Sequence, residues 1–324
     1  MKKTITTLLA LSFILQFGVT VFADNETNIK KSDKANVISS NAVINNSDLL
    51  MNREEIPLKS INLKKNLPSN YSSVKNGYVT SIKNQKSHNT CWAFSAMTNM
   101  ESALLKKGYG TYDLSEEHLD IWATSNNNKG WLRGLNDGSI PETSIGYLAS
   151  WQGAKLETDI PFDYAKGKAR SEVVNLGNVE YGVTDIVILP NDINTIKTAV
   201  MDYGSVSASF AANYIFENDN STAYYAYMNF ESTSSIEGHA ISIVGWDDNY
   251  SYKNFSSSHQ PKNNGAWLCK NSWGNYNSLD GYFWISYEDK YLFNDILGQP
   301  YAVADLRKID KNTKLYQVEE YGAT

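Results

Sequence analysis

Cysteine is nearly absent from this chain: 324 residues carry two, Cys91 and Cys269. One pair closes at most one disulfide, so a disulfide-built scaffold is excluded and the fold must be held by its core, which a chain of this length can supply. Histidine is equally scarce, with four residues. An excess of basic charge is missing too. The net charge of −6 leaves no electrostatic footprint for nucleic acid, and none is expected as a partner. Past the first two dozen residues no second long apolar run appears, so no membrane segment is expected in the mature chain. Internal repeats are also missing.

What is present has a clear order. Lys2 and Lys3 precede a mostly apolar stretch from Thr4 to Phe22, and Val21 and Ala23 put small residues where a signal peptidase reads. Residues 1–23 are therefore expected to be a signal peptide, with the protein secreted after cleavage. A membrane anchor is the alternative, disfavoured by Gln16 and the Thr and Ser residues that interrupt the run. Residues 24–66 are rich in Asn, Ser and Lys, without sustained period, and read as a pro-segment or linker. Aromatic density rises from Tyr71.

After Cys91 the apolar residues Ala93, Phe94, Met97, Met100, Ala103 and Leu104 recur at helical spacing. Ser115 stands as the N-cap of a second helix with an acidic first turn, and a third is expected over Thr143–Trp151. Beyond residue 180 the pattern changes. Val183–Leu189, Ser205–Phe210, His239–Trp246, Gly265–Lys270 and Tyr282–Tyr287 read as strands, with one helix at Ile193–Met201. Helices first and strands later give an α+β protein with two lobes.

Four residues carry candidate chemistry. Cys91 lies where the polar loop Ser87–Thr90 meets a helix N-terminus, a place that lowers a thiol pKa. In a secreted protein the default for two cysteines is a disulfide, and pairing Cys91 with Cys269 would abolish a nucleophile. The context of Cys91 and the apolar strand around Cys269 favour two free thiols. His239 opens an apolar strand, whereas His88, His118 and His259 have polar neighbours. Asn271, in Lys270-Asn271-Ser272-Trp273-Gly274, offers an amide oxygen to fix an imidazole, with Trp273 placed to shield that bond. Gln85, six positions before Cys91, offers an amide N–H to an oxyanion. Each has a plainer reading: a small buried thiol, a structural histidine, an ordinary turn, a solvated glutamine. Together they make the set a cysteine hydrolase uses.

With these residues in place the chain resembles the papain-like cysteine proteases. The likeness rests on Gly77–Gln85, Cys91-Trp92-Ala93-Phe94-Ser95, Leu114-Ser115-Glu116-Glu117, Asp159-Ile160-Pro161-Phe162, Gly238-His239-Ala240 and Lys270–Gly274 followed by Gly281-Tyr282, in that order. It implies a two-lobed papain-like fold over 67–296, with lobes near 80–178 and 179–295 and the site in the cleft between them. It also implies Cys91 as nucleophile, His239 as general base and acid, Asn271 as orienting group and Gln85 as oxyanion donor. The Asp137-Gly138-Ser139 turn resembles the family's substrate-pairing turn, so Gly138 and Ser139 are candidate substrate contacts. Alignment to the family also makes Glu237 and Ser209 candidate pocket-wall positions, and Gly238 and Trp273 are further candidate substrate contacts.

No metal or cofactor is expected. The usual Cys and Gly before the nucleophile motif are replaced by His88, Asn89 and Thr90. Gly108–Leu119 and Val244–Ser251 resemble clostridial cell-wall cysteine proteases, including surface-layer-processing members. That likeness makes surface-layer or cell-wall proteins candidate substrates and the chain's own pro-segment a candidate inhibitor. Residues 297–324 are expected to be a C-terminal extension, with Lys314–Glu319 resembling the first strand of a lectin-like domain. The reading is a secreted cysteine endopeptidase. Its rival is a catalytically silent papain-like surface or adhesion module.

Overall fold

Helix α1 (Cys91–Lys106) is buried without a break from Trp92 to Leu104. A helix buried on all faces is normally apolar throughout, yet this one contains Ser95, Asn99 and Glu101. Their polar atoms must therefore be satisfied internally. Ser95 Oγ donates to the Ile241 carbonyl at 2.7 Å. Asn99 donates to the Tyr301 carbonyl at 3.1 Å and accepts from the Val303 amide at 3.0 Å. Glu101 accepts from the Leu114 amide at 2.9 Å and from Lys83 Nζ at 2.8 Å. Through these bonds α1 is fastened at once to the helical segments beside it and to the sheet behind it.

The computed structural model describes residues 34–41, 59–64, 66–125, 133–151 and 153–310. The expected signal peptide and the Lys314–Glu319 strand lie outside the described residues.

Beside α1 stand α2 (Glu116–Trp122), α3 (Pro141–Ser150) and α4 (Arg170–Val173). Ser115 caps α2 as expected, its Oγ accepting from the His118 amide at 3.0 Å. α3 begins two residues earlier than the periodicity predicts, at Pro141, a residue suited to the first helical position. The polar look of α2 misleads, because all seven of its residues are buried. Glu117 accepts from the Ala165 amide at 2.7 Å and Asp120 pairs with Arg133. His118 is not on a polar face: its ring lies between Tyr147 Oη at 2.6 Å and the Val174 carbonyl at 2.9 Å. Burial pushes its pKa down to about 4.

The strands are β1 (Lys34–Asn41), β2 (Lys59–Asn62), β3 (Asn70–Ser72), β4 (Tyr181–Ile188), β5 (Val206–Ala211), β6 (Glu217–Asn218), β7 (Ala223–Tyr224), β8 (Gly238–Asp247), β9 (Ala266–Lys270), β10 (Tyr282–Ser286) and β11 (Tyr301–Lys308). Helix α5 (Ile193–Tyr203) precedes β5. They form one sheet in the order β2-β1-β4-β11-β5-β8-β9-β10-β7-β6, with β3 on β8. β10 and β7 run parallel and the other pairs antiparallel. Gly245 lets β3 cross β8, since a Cβ there would sit 2.4 Å from the Tyr71 carbonyl oxygen.

Two elements depart from the sequence expectation. The segment read as a pro-segment or linker contributes β1 and β2, with Ile38 opposite Ile188 and Ile61 buried in the sheet's core. The segment read as a C-terminal extension contributes β11, which runs along β4 and places Tyr301, Val303 and Leu306 in the core around α1. The sheet thus continues past the expected domain end at 296. One core surrounds α1 and the helical segments; the other lies in the sheet around Phe210, Trp246, Trp267 and Phe283. The α1 N-terminus and the start of β8 meet at their boundary.

Candidate active site

Cys91 is the first residue of α1, partly exposed and not in a disulfide. Thr90 occupies the N-cap without a side-chain capping bond, and the first turn holds no acidic residue. The positive end of the helix dipole is therefore left for the sulfur. Burial pushes the thiol pKa up. The charge and hydrogen bond of His239, with backbone bonds at Ala240 and Trp92, outweigh it and leave the thiol below its ordinary value.

His239 is the second residue of β8 and 6% exposed. Its Nε2 is 2.8 Å from Asn271 Oδ1. That oxygen also accepts the Ser272 amide at 2.8 Å, and Asn271 Nδ2 donates to Tyr276 Oη at 3.0 Å. Because the atom facing the ring is an acceptor, Nε2 must carry the proton, and Nδ1 is the nitrogen left for Cys91. Trp273 stacks on the imidazole at 4.6 Å between centroids, and Phe210 meets it edge-on at 6.0 Å. The ring is held by its bond, by the stacked face of Trp273 and by the edge-on contact with Phe210.

Asn271 follows β9, and its turn is fixed across the lobes. The Gly274 amide donates to the Lys83 carbonyl at 2.9 Å, the Gln85 amide to the Ser272 carbonyl at 2.7 Å, and the Asn271 amide to the Gly281 carbonyl at 3.1 Å. Gly281 has φ +87°, and a Cβ there would meet the Gly274 oxygen at 2.7 Å, so only glycine fits this closure. The same turn carries Gln85 into the site. Gln85 is buried, its Oε1 accepts Ser272 Oγ at 2.5 Å, and its Nε2 donates to the His88 carbonyl at 2.7 Å. One of its two amide protons remains for another acceptor.

The other expected contacts divide. Gly138 and Ser139 lie in the loop between α2 and α3. The loop is tied beside Cys91 by Trp92 Nε1, which donates to the Asp137 carbonyl at 3.2 Å. Arg133 stacks on Trp92 at 4.7 Å and reaches the Gly138 carbonyl at 3.4 Å. Gly138 is exposed with nothing near its missing side chain, and Ser139 Oγ donates to Thr143 Oγ1 at 2.8 Å. Glu237 and Gly238 are exposed at the β8 entrance. The Glu237 backbone is clasped by the Ala212 amide at 2.8 Å and by Asn213 Oδ1 at 3.0 Å. Trp273, expected to shield the Asn271 bond and to contact substrate, makes its ring contacts with His239 and Tyr276.

Sequence reasoning missed Ser272, Tyr276 and Arg133. Ser272 stood inside a motif already singled out; the other two carry no spacing signal. Cys269 is fully buried in β9, where burial pushes its thiol well up. Among the described residues no group of three or more His, Cys, Asp or Glu is placed to hold a metal ion.

This arrangement can hold a thiolate against an oriented imidazolium, while Gln85 keeps one amide proton for another acceptor. Comparison with known proteins agrees in kind. The family described as papain family cysteine protease matches residues 67–297. The clostridial cysteine protease Cwp84, solved after propeptide cleavage, is 44% identical with a TM-score of 0.71, over 79% of this chain and 63% of that one. A structure of the cysteine protease and lectin-like domains of Cwp84, a surface layer associated protein of Clostridium difficile, is 39% identical with a TM-score of 0.70, covering 90% and 66%. Cathepsin J of Rattus norvegicus is 27% identical over 215 residues, 65% of this chain and 58% of its own length. The chain thus spans less than two thirds of each of these relatives.

Proposed function

The chain belongs to the papain family of cysteine proteases, and from that premise we propose that it is a secreted endopeptidase working through a thiol acyl-enzyme. The supporting observation is the Asn271–His239 bond, which leaves Nδ1 for a thiol already below its ordinary pKa. Cys91 Sγ attacks the substrate carbonyl carbon. The oxyanion takes hydrogen bonds from the Cys91 amide and the remaining Gln85 amide proton. Protonated His239 passes its Nδ1 proton to the leaving amine, which departs with the C-terminal half of the substrate. Neutral His239 then removes a proton from water, whose oxygen attacks the thioester and releases the acid. The exposed Gly138 turn offers backbone to an extended substrate, in the manner of strand addition.

The surface-layer association of Cwp84 supports extracellular, surface-layer or cell-wall proteins as substrates. The cleaved propeptide of that relative supports residues 24–66 as an inhibitory pro-segment removed on activation. Cys91→Ala is expected to abolish cleavage of a denatured protein and labelling by a thiol-directed epoxide. Proteolysis undiminished in that variant would refute the reading. A wild-type enzyme inert toward every peptide tried, with Cys91 unreactive, would return the silent surface module.

A further inference from the structure

The loop before Cys91 has no cysteine to staple it, and the structure provides another restraint. His88 Nε2 lies 3.0 Å from Asp163 Oδ1, and Lys86 Nζ pairs with the other oxygen of the same carboxylate. Because a carboxylate only accepts, His88 must donate from Nε2. The ring also meets Phe162 edge-on at 5.3 Å, and Phe162 meets Phe94 of α1 at 5.2 Å. Asp163 is itself fixed from α2: its amide donates to Glu117 Oε2 at 3.1 Å. On the far side, the Asn89 amide donates to the Asn136 carbonyl at 3.1 Å.

The consequence falls on Gln85. Its Oε1 is capped by Ser272, and one amide proton is taken by the His88 carbonyl at 2.7 Å. These two bonds define the amide plane and thus the direction of the second proton. The Ser272 bond is anchored in the turn beside Asn271; the other depends on where the His88 carbonyl stands. The His88 amide closes the same turn by donating to the Gln85 carbonyl at 3.2 Å.

We propose that His88 and Asp163 are positioning residues for the oxyanion donor, holding the carbonyl that aims the Gln85 amide. This rests on the proposed role of Gln85. Their contribution belongs to the acyl-transfer transition state and not to thiolate formation, which depends on His239 and the helix terminus.

The test combines His88→Phe, which keeps a ring against Phe162 but loses Nε2, with Asp163→Asn, His88→Gln and Gln85→Ala. Each variant is assayed for kcat and KM on a peptide amide and for the rate of Cys91 alkylation by iodoacetamide, which needs no oxyanion donor. His88→Phe is expected to lower kcat about tenfold with KM within about twofold and alkylation unchanged. That is short of the ~10²–10³-fold cost of deleting an oxyanion donor outright. Asp163→Asn shifts kcat in the same direction by less. His88→Gln, whose amide nitrogen can take the place of Nε2, retains most of the activity. In the Gln85→Ala background His88→Phe costs nothing further. A full additional loss there, or alkylation falling in step with kcat, overturns the positioning role while leaving that of Gln85 standing. A Gln85→Ala enzyme with undiminished kcat overturns both.

Discussion

Replacing Asn271 by Ala removes the acceptor of the His239 Nε2 proton and leaves the neighbouring Ser272 amide and Tyr276 hydroxyl without their partner. The bond to His239 is charge-assisted whenever the ring is an imidazolium, and such bonds contribute about 1.5–3 kcal/mol. That corresponds to roughly a 10- to 150-fold loss in kcat/KM. The loss stays in that range because Trp273 still covers the ring at 4.6 Å, so the imidazole is loosened and not released. The pH profile should move too. His239 is what pulls the Cys91 thiol down against the upward push of burial. A less favoured imidazolium pulls less, so the thiol pKa rises and the acid limb of kcat/KM shifts to higher pH. The assay is kcat/KM on a fluorogenic peptide from about pH 4 to 9, with iodoacetamide alkylation reporting the thiolate independently. A variant within threefold of wild type, with its acid limb unmoved, would refute the orienting role. So would one as dead as Cys91→Ala.

Two further outcomes concern stability. Lys83→Met leaves the fully buried Glu101 carboxylate without its cation at 2.8 Å, beside Glu116, whose pKa burial raises to about 8, and should cost about 3–5 kcal/mol. Calorimetry should show a fall in Tm of roughly 10 °C, and an unchanged Tm would mean that Glu101 is not charged there. Asp289 is buried, and burial raises its pKa to about 6 against the pull of amides from Ala226, Leu292 and Tyr291. The folded state therefore binds this proton more tightly than the unfolded chain. Its contribution to stability is greatest below the ordinary aspartate value of 3.8 and is lost as pH rises through about 6. At 1.36 kcal/mol per pKa unit the change is about 3 kcal/mol. Urea midpoints of Asp289→Asn should vary less between pH 4 and 6 than those of wild type, and parallel slopes would refute the assignment.

What the sequence made legible was chemistry carried by residue type and local context. Cys91 at a helix start, His239 at a strand start and Asn271 beside Trp273 could be named without knowing what they touch. The helical period of α1 and the apolar runs of β5, β8 and β9 were equally local. What stayed hidden depended on partners far along the chain. β1 and β2 lack a period of their own; β2 pairs with β1, and β1 pairs in turn with β4. β11 gains its place through β4, β5 and Asn99 of α1. His118 looked solvated because its neighbours are charged, yet each of those charges has a buried partner supplied from another segment.

The same distinction explains the loop before the nucleophile. Sequence shows a missing staple; only the fold brings Lys86 and His88 to Asp163, some 75 residues on. It also shows why one dipeptide matters to both halves of the proposed reaction. Asn271 turns its amide to His239, and Ser272 turns its hydroxyl to Gln85. One side chain sets the base, and its neighbour sets the oxyanion donor. Both depend on a single backbone turn bonded to Lys83 and Gln85 across the lobe boundary. A shift of that turn would therefore misplace proton transfer and oxyanion stabilisation together. This gives a physical reason for the tight closure at Gly281, where no side chain can enter.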